Sequence, residues 1–474
     1  MAPRGEGRDQ GRNKKVSSKT RIPVNGRAHS FTHMSRLPML REVQSSQRTE
    51  LFIRKCQVCE KHFKLSPETM APSISDILLD TSGRPENRPT PKPREGEGSI
   101  YCLPDDQDRL EKERCLEDMI KFLGAPVTNS GAHKAVFTED CYFAIMNMVE
   151  KNIFRCPPLK RLGPSDTPDE EDEPQLENSW PHLVLVYGVL QKFVESPDFQ
   201  PSVAKKYITV SFVQQLLQLF ASDDPRERCS LKTLLHRIYG KFLGLRPVIR
   251  RHINYIFLEF IYEHEQNSGI PELLEILGSI INGFAVPLKQ EHITMLRRTL
   301  IPLHKSKSLG TFYAQLVYCI VQFIEKEPSL TEEIVFALLR LWPHQCSGKQ
   351  VMLLGEFEEI CDVIDPKMFE NIFQPLVSRI ALCMASSHFQ VSERALCFWN
   401  NEYVISLLES YANIILPMIL PHLIHVSEHH WNRTIGMLSI DTCKMLHELD
   451  PIIVGHVLTE MGKLEILEDM VQEE

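Results

Sequence analysis

The chain reads as an all-α, HEAT-like helical-repeat solenoid, a superhelix of antiparallel helix pairs behind a disordered N-terminal arm. Three observations predict this. From Asp105 onward apolar residues recur with helical spacing, and no run alternates with the period of two that a half-buried strand requires. Pro and Gly punctuate the pattern every ~15–25 residues, which gives short helices and not long ones. Finally, Ser222-Asp223-Asp224-Pro225-Arg226-Glu227-Arg228 and Phe389-Gln390-Val391-Ser392-Glu393-Arg394 both lead arginines into apolar helices. The separation of Arg228 from Arg394 is about four repeats of the ~40–47 residues typical of such arrays.

Taken in order, residues 1–47 mix Arg, Lys, Ser and Gly with few aromatics and cannot bury enough apolar surface to offset their ordering entropy, so they are expected to be a basic, disordered arm. Residues 48–65 carry Leu51, Phe52, Cys56, Val58, Cys59 and Phe63, enough for one short helix. Six prolines between Pro67 and Pro93 make 66–104 a linker, because proline removes backbone donors and blocks helix propagation. Residues 105–465 form the solenoid, and 466–474 are an acidic end. Within the solenoid, Leu273, Leu274, Ile276, Leu277, Ile280, Ile281 and Phe284 form a stripe on one helix face. Ser268-Gly269 and Pro271 mark where that helix begins.

Composition narrows the function classes. The formal net charge of −9 over 474 residues argues against wholesale binding of nucleic acid, so a basic site has to be local. The most apolar stretch, Tyr411 to Val426, is interrupted by Pro417, Pro421, His422 and His425, and no membrane insertion is expected. The basic N-terminus lacks the apolar core of a secretory signal. Thirteen cysteines, odd in number and set in apolar segments, read as buried thiols of a reducing compartment, cytoplasm or nucleus.

The densest cationic run is His236-Arg237-Ile238-Tyr239-Gly240-Lys241, continuing through Arg246, Arg250 and Arg251. Arg246 and Arg250, and less closely Arg237 and Lys241, converge if Gly240 and Gly244 let one helix turn into the next. Guanidinium groups suit carboxylate or phosphate, and Tyr239 adds an apolar wall with a polar tip. Lys289 and His292 follow the Ile276/Ile280 stripe and add charge at the rim of an apolar pocket, a combination that reads an amphipathic, acidic peptide. The alternative, a solvated face paired with Glu259 and Glu263, has equal weight on spacing alone. The opposite extreme is the block Asp166 to Pro174, including Asp169, Glu170, Glu171, Asp172 and Glu173, which by itself reads first as a solvated loop.

No catalytic machinery is visible. Cys56, Cys59 and His62 resemble half of a zinc site, but no second pair lies at ligand spacing. His422, His425, His429 and His430 cluster without a recognised ligand pattern, and neither a P-loop nor a serine-hydrolase elbow occurs. No cofactor and no metal is expected.

The runs His236 to Arg246, Glu272 to Ala285, and Glu393-Arg394-Ala395-Leu396 with Trp399-Asn400-Asn401-Glu402-Tyr403 resemble the B-prime regulatory subunits of protein phosphatase 2A. The similarity runs from about Leu176 to Ile435, includes Ser196-Pro197-Asp198-Phe199-Gln200-Pro201 and His430-Trp431-Asn432, and reaches more weakly back to Leu51. It implies a non-catalytic subunit that sits on the phosphatase scaffold and catalytic subunits and chooses substrates. It also implies a pocket for Leu-x-x-Ile-x-Glu peptides lined by His236, Arg237, Tyr239, Arg246, Arg250, Ile276, Ile280, Lys289 and His292. By the same resemblance the acidic loop 166–173 faces the catalytic subunit. Two departures are Pro247 directly after Arg246 and the absence of a basic helical tail, so nuclear routing through such a tail is not expected. The rival reading is an armadillo or importin-like transport adaptor, which requires an acidic groove for basic cargo where this sequence offers a basic one.

Overall fold

The structure is a computed structural model that describes residues 36–60, 104–125, 137–155, 174, 176–263 and 265–463. The chain divides into two compact units, Met1–Pro38 and Met39–Glu474. Of the first only residues 36–38 are described, and the architecture below is that of the second. The arm as far as residue 35, the proline-rich segment 66–103, the acidic block 166–173 and residues 464–474 lie outside the described residues.

Among the described residues every regular element is helical. In chain order they are α1 (Ser45–Cys59), α2 (Pro104–Leu123), α3 (Glu139–Ile153), α4 (Trp180–Glu195), α5 (Val210–Gln218) and α6 (Pro225–Lys241). Next come α7 (Arg246–Tyr262), α8 (Ile270–Asn282), α9 (Gln290–Met295), α10 (Tyr313–Lys326), α11 (Thr331–Arg340) and α12 (Ser347–Cys361). The last are α13 (Pro366–Met384), α14 (Phe389–Cys397), α15 (Ala412–His429), α16 (Arg433–Leu449) and α17 (Pro451–Glu460). The short helical turn Pro201–Ala204 and the eight-residue helix Glu402–Glu409 join them.

These helices sort into two layers by parity. Each even-numbered helix packs on the next, from α2 through α16 without a break. The odd-numbered ones do the same from α5 to α17, helped by the segments that extend α9 (Leu296–Leu300, a π-helical turn, and Ile301–Leu303). This alternation is what helix pairs of a repeat array produce, since each pair has only its two neighbours against which to bury its apolar faces. Arg228 lies on α6 and Arg394 on α14, four even-numbered steps apart. Both serve between repeats: Arg228 Nε donates to Glu272 Oε1 at 3.0 Å on α8, and Arg394 Nη2 to Glu358 Oε2 at 2.5 Å on α12.

The α8 stripe shows how sequence becomes packing. Leu273, Leu274, Ile276, Leu277, Ile280 and Ile281 are all buried, whereas Glu275, Ser279 and Asn282 on the opposite face are exposed. Gly269 caps the helix, and the start is crowded. A Cβ at Gly269 would lie 2.3 Å from the backbone oxygen of Phe220 and 2.8 Å from its Cβ. A backbone atom cannot step aside as a side-chain tip does. Gly269→Ala is therefore expected to lower stability by about 2 kcal/mol or more, read as a drop in the urea midpoint. A midpoint equal to that of the unsubstituted protein would show that the α5–α8 junction yields.

No helix among the described residues is long and apolar enough to cross a membrane. Most of the described cysteines are buried, and all are free thiols; Cys229 and Cys346 are exposed. Cys56 and Cys59 belong to this buried set on α1.

Candidate functional site

The cationic cluster is organised by the junction of α6 with α7. α6 ends at Lys241, Phe242 leaves the helical conformation (φ −112°, ψ 84°), one 3₁₀ turn (Leu243–Leu245) follows, and α7 begins at Arg246 with Pro247 in its first turn. Gly240 and Gly244, expected to make this corner, have no positive φ and no crowding neighbour. The corner is held by Phe242, buried edge-on against Phe199 at 6.1 Å. Pro247 costs nothing at its position because a first-turn N–H has no partner within the helix.

Arg246 folds back over the end of α6. Its Nε donates to the Tyr239 carbonyl at 3.0 Å and Nη2 to that of Gly240 at 3.3 Å, and its guanidinium lies 5.1 Å from the Tyr239 ring centroid. Those carbonyls are among the last of α6, where the helix dipole favours a cation. Arg250, one turn further along α7, donates to Tyr239 Oη at 3.2 Å and to Glu291 Oε1 at 3.0 Å. Tyr239 thus holds two guanidinium groups in place, one through its ring and carbonyl and one through its hydroxyl. Arg246 has no carboxylate within ion-pair distance among the described residues, and neither has the exposed Lys289.

His292 completes the cluster from the start of α9. Its ring stacks on Phe284 with centroids 3.7 Å apart and planes 2° from parallel, and the residue is 6% exposed. Glu291 Oε1 is 3.3 Å from Nε2 but out of hydrogen-bond alignment, so neither ring nitrogen is satisfied. Burial, then the adjacent Arg250 and Lys289 charges, push its pKa below the ordinary histidine value against the pull of Glu291. The imidazole is neutral at pH 7, and the positive charge of the cluster resides on Arg246, Arg250 and Lys289.

α6 and α8 are joined by three polar rungs at successive turns. Arg228 meets Glu272, Lys232 Nζ meets Glu275 Oε2 at 2.5 Å, and His236 Nε2 lies 3.1 Å from Ser279 Oγ. The spacing of 228, 232 and 236 puts one rung per turn on a single face. Beside the last two rungs, Glu275, Ser279, Asn282, Ala314, Gln315 and Tyr318 line a depression of about 420 Å³ between α8 and α10.

The structure brings together Tyr239, Arg246, Arg250, Lys289 and His292, with His236 one rung away on α6. It separates Arg237, whose Nε lies 3.3 Å from Glu195 Oε1 on α4, and Lys241, which sits 5.0 Å over the Phe199 ring. Ile276 and Ile280, expected to wall an open pocket, are 2% and 4% exposed and closed into the core. The counter-charges are Glu291 and Glu195 and not the expected Glu259 and Glu263. Glu291 had one local signal, an acid in the first turn of a helix that begins at Gln290. Glu195 and Ser279 had none, because their partners lie about forty residues away.

Residues 169–173 of the acidic block lie outside the described residues, but the stems on either side of it are joined. Arg155 Nη2 donates to Glu177 Oε2 at 2.9 Å and, with Nη1, makes a two-pronged contact to Glu227 at 2.7 and 2.8 Å. Among the described residues no group of three or more His, Cys, Asp or Glu side chains is placed to hold a metal ion.

A family model described as the protein phosphatase 2A regulatory B subunit, B56 family, matches residues 103–474, and so runs further in both directions than Leu176 to Ile435. The serine/threonine-protein phosphatase 2A 56 kDa regulatory subunit alpha isoform of Mus musculus is 48% identical over 417 residues, covering 87% of this chain and 76% of the relative. The beta isoform of Homo sapiens is 46% identical over 432 residues, covering 90% and 78%. The regulatory subunit pptr-1 of Caenorhabditis elegans is 52% identical over 343 residues, covering 72% of this chain and 63% of that relative.

Proposed function

The chain belongs to the B56 family of protein phosphatase 2A regulatory subunits, and from that premise we propose that it joins the scaffold and catalytic subunits and recruits substrates through Leu-x-x-Ile-x-Glu-type motifs bound at the α6–α8 seam. It is a regulator, and hydrolysis is the work of another chain. A cytosolic or nuclear site of action is part of the same reading.

The observation that carries the motif reading is Arg246, a cation fixed by Tyr239 and the α6 carbonyls yet left without an anionic partner among the described residues. Preorganised charge of this kind binds carboxylate or phosphate at little cost in side-chain entropy. Lys289 adds a second cation without an acidic partner among the described residues, and Arg250 exchanges its exposed partner Glu291 for an incoming anion. Ile276 and Ile280 are closed, so an apolar residue of the peptide enters only as the His236–Ser279 rung parts. That opening accounts for a site that is not a deep cleft in the unbound chain.

Arg246→Glu is expected to weaken a Leu-x-x-Ile-x-Glu peptide by about 2 kcal/mol or more, roughly thirtyfold in Kd, because a like charge replaces a charge-assisted contact. Since Arg246 also caps α6, Lys289→Glu at an exposed position provides a second variant that leaves that helix end intact. Calorimetry showing unchanged affinity in both variants removes the motif assignment. Co-purification with scaffold and catalytic subunits tests the assembly half of the proposal separately, and neither substitution is expected to alter it.

A further inference from the structure

The exposed face of α15 carries His425, Glu428 and His429, the two histidines one helical turn apart. Their rings lie with centroids 4.7 Å apart and planes at 19°. His429 Nδ1 is 3.2 Å from the His425 carbonyl oxygen, which places the proton on Nδ1 and leaves the Nε2 lone pair free. That arrangement, one ring nitrogen donating to a backbone carbonyl and the other bare, is the one metal-ligating histidines adopt. Both side chains are exposed on a helix whose other face is anchored by buried Leu423, Ile424 and Val426, so the pair is presented on a rigid support.

We propose that His425 and His429 chelate a single divalent transition-metal ion through their Nε2 atoms. Histidines at i and i+4 on one helix face have the spacing to share an ion, and imidazole favours Cu²⁺, Ni²⁺ and Zn²⁺ over Mg²⁺ or Ca²⁺. The neighbouring histidines are excluded by position. His422 lies one turn from His425 but is half-buried where His425 and His429 are exposed, and it is two turns from His429, roughly 10 Å along the axis, too far to share an ion with it. His430 Nδ1 faces Asn432 and its Nε2 lies 3.3 Å from the Ser386 carbonyl. Glu428 is paired with Lys463, and its Oε2 is 3.8 Å from His429 Nδ1, which makes it an outer-shell carboxylate and not a ligand. No third protein side chain converges on the pair among the described residues, so water fills the remaining positions. With its carboxylate occupied and no third ligand, the site binds metal without the arrangement of a hydrolase.

The test uses the full chain without a histidine tag, stripped with chelator and titrated with Ni²⁺ and Cu²⁺ at pH 7.5 by calorimetry. One equivalent is expected to bind at least tenfold tighter than the remaining histidines, with Cu²⁺ ahead of Ni²⁺. His425→Ala and His429→Ala are each expected to abolish that equivalent, and His422→Ala to retain it. Thermal unfolding gives a second readout: Ni²⁺ raises the Tm of the unsubstituted protein and not of either variant, because the chelate ties two turns of α15 together. The proposal is overturned if the tight equivalent is missing from the unsubstituted chain, if it persists in His425→Ala or His429→Ala, or if His422→Ala removes it.

Discussion

Raising the pH from 9 to about 10.5 under reducing conditions is expected to cost the protein about 5 kcal/mol of stability through three thiols alone. Burial pushes Cys141, Cys383 and Cys443 up to about 12, and it also raises Cys319 and Cys361. A thiol whose pKa is raised by folding contributes stability that is complete below the unfolded value near 9 and is lost as pH climbs towards the folded one. Each loses about 1.4 kcal/mol per pH unit across that window. The sum is comparable with the ~5–15 kcal/mol total stability of an ordinary domain. Lys112 works in the opposite direction. Burial lowers it to about 8, so its contribution grows between pH 8 and its ordinary 10.5, by at most ~3 kcal/mol. Urea midpoints at pH 8, 9 and 10 measure the balance. A flat profile would contradict it, and replacing Cys319 and Cys361 by alanine and valine should reduce the slope.

Arg155→Met is expected to lower stability by about 3–5 kcal/mol, the cost of leaving a buried charge without its partner. Glu227 is fully buried in the first turn of α6, where it receives both prongs of Arg155, the Tyr187 hydroxyl at 2.8 Å and the Ser222 hydroxyl at 2.7 Å. Methionine preserves much of the arginine stem's packing and removes the charge. Glu227 then keeps two hydroxyl donors and loses its counter-ion, and Glu177 loses its partner as well. A shift in the urea midpoint corresponding to less than 1 kcal/mol would mean that water enters and solvates the carboxylate. Adding Glu227→Gln to Arg155→Met should recover a large part of the loss, because a neutral amide needs no counter-ion; a double variant no more stable than the single one would place the effect in packing. The same residues join the stems of the acidic segment, so holoenzyme assembly should fall in Arg155→Met in proportion to its unfolded fraction.

The local features of this protein were legible in its amino-acid order. Apolar spacing marked the stripe of α8 from Leu273 to Ile281, Gly269 and Pro271 marked its start, and Arg228 and Arg394 stood about four repeat lengths apart. The density of arginine and lysine after His236 located the cationic cluster, and the matching runs around it pointed to the family. These features depend on a few neighbouring residues, and helix geometry converts their spacing directly into a face.

Tertiary structure decided which of those groups remain free. Arg237 belongs to Glu195 and Arg250 to Glu291, while Arg246 is anchored on α6 and keeps its charge without an acidic partner among the described residues. Ile276 and Ile280, apolar and correctly spaced for a pocket wall, are closed into the core because the neighbouring layer already covers them. Glu227 gave no local sign that it would meet an arginine 72 residues earlier in the chain. A charge's usefulness depends on its distance from every other charge, and in a repeat array those distances are set by how one helix pair stacks on the next, which helical periodicity does not encode.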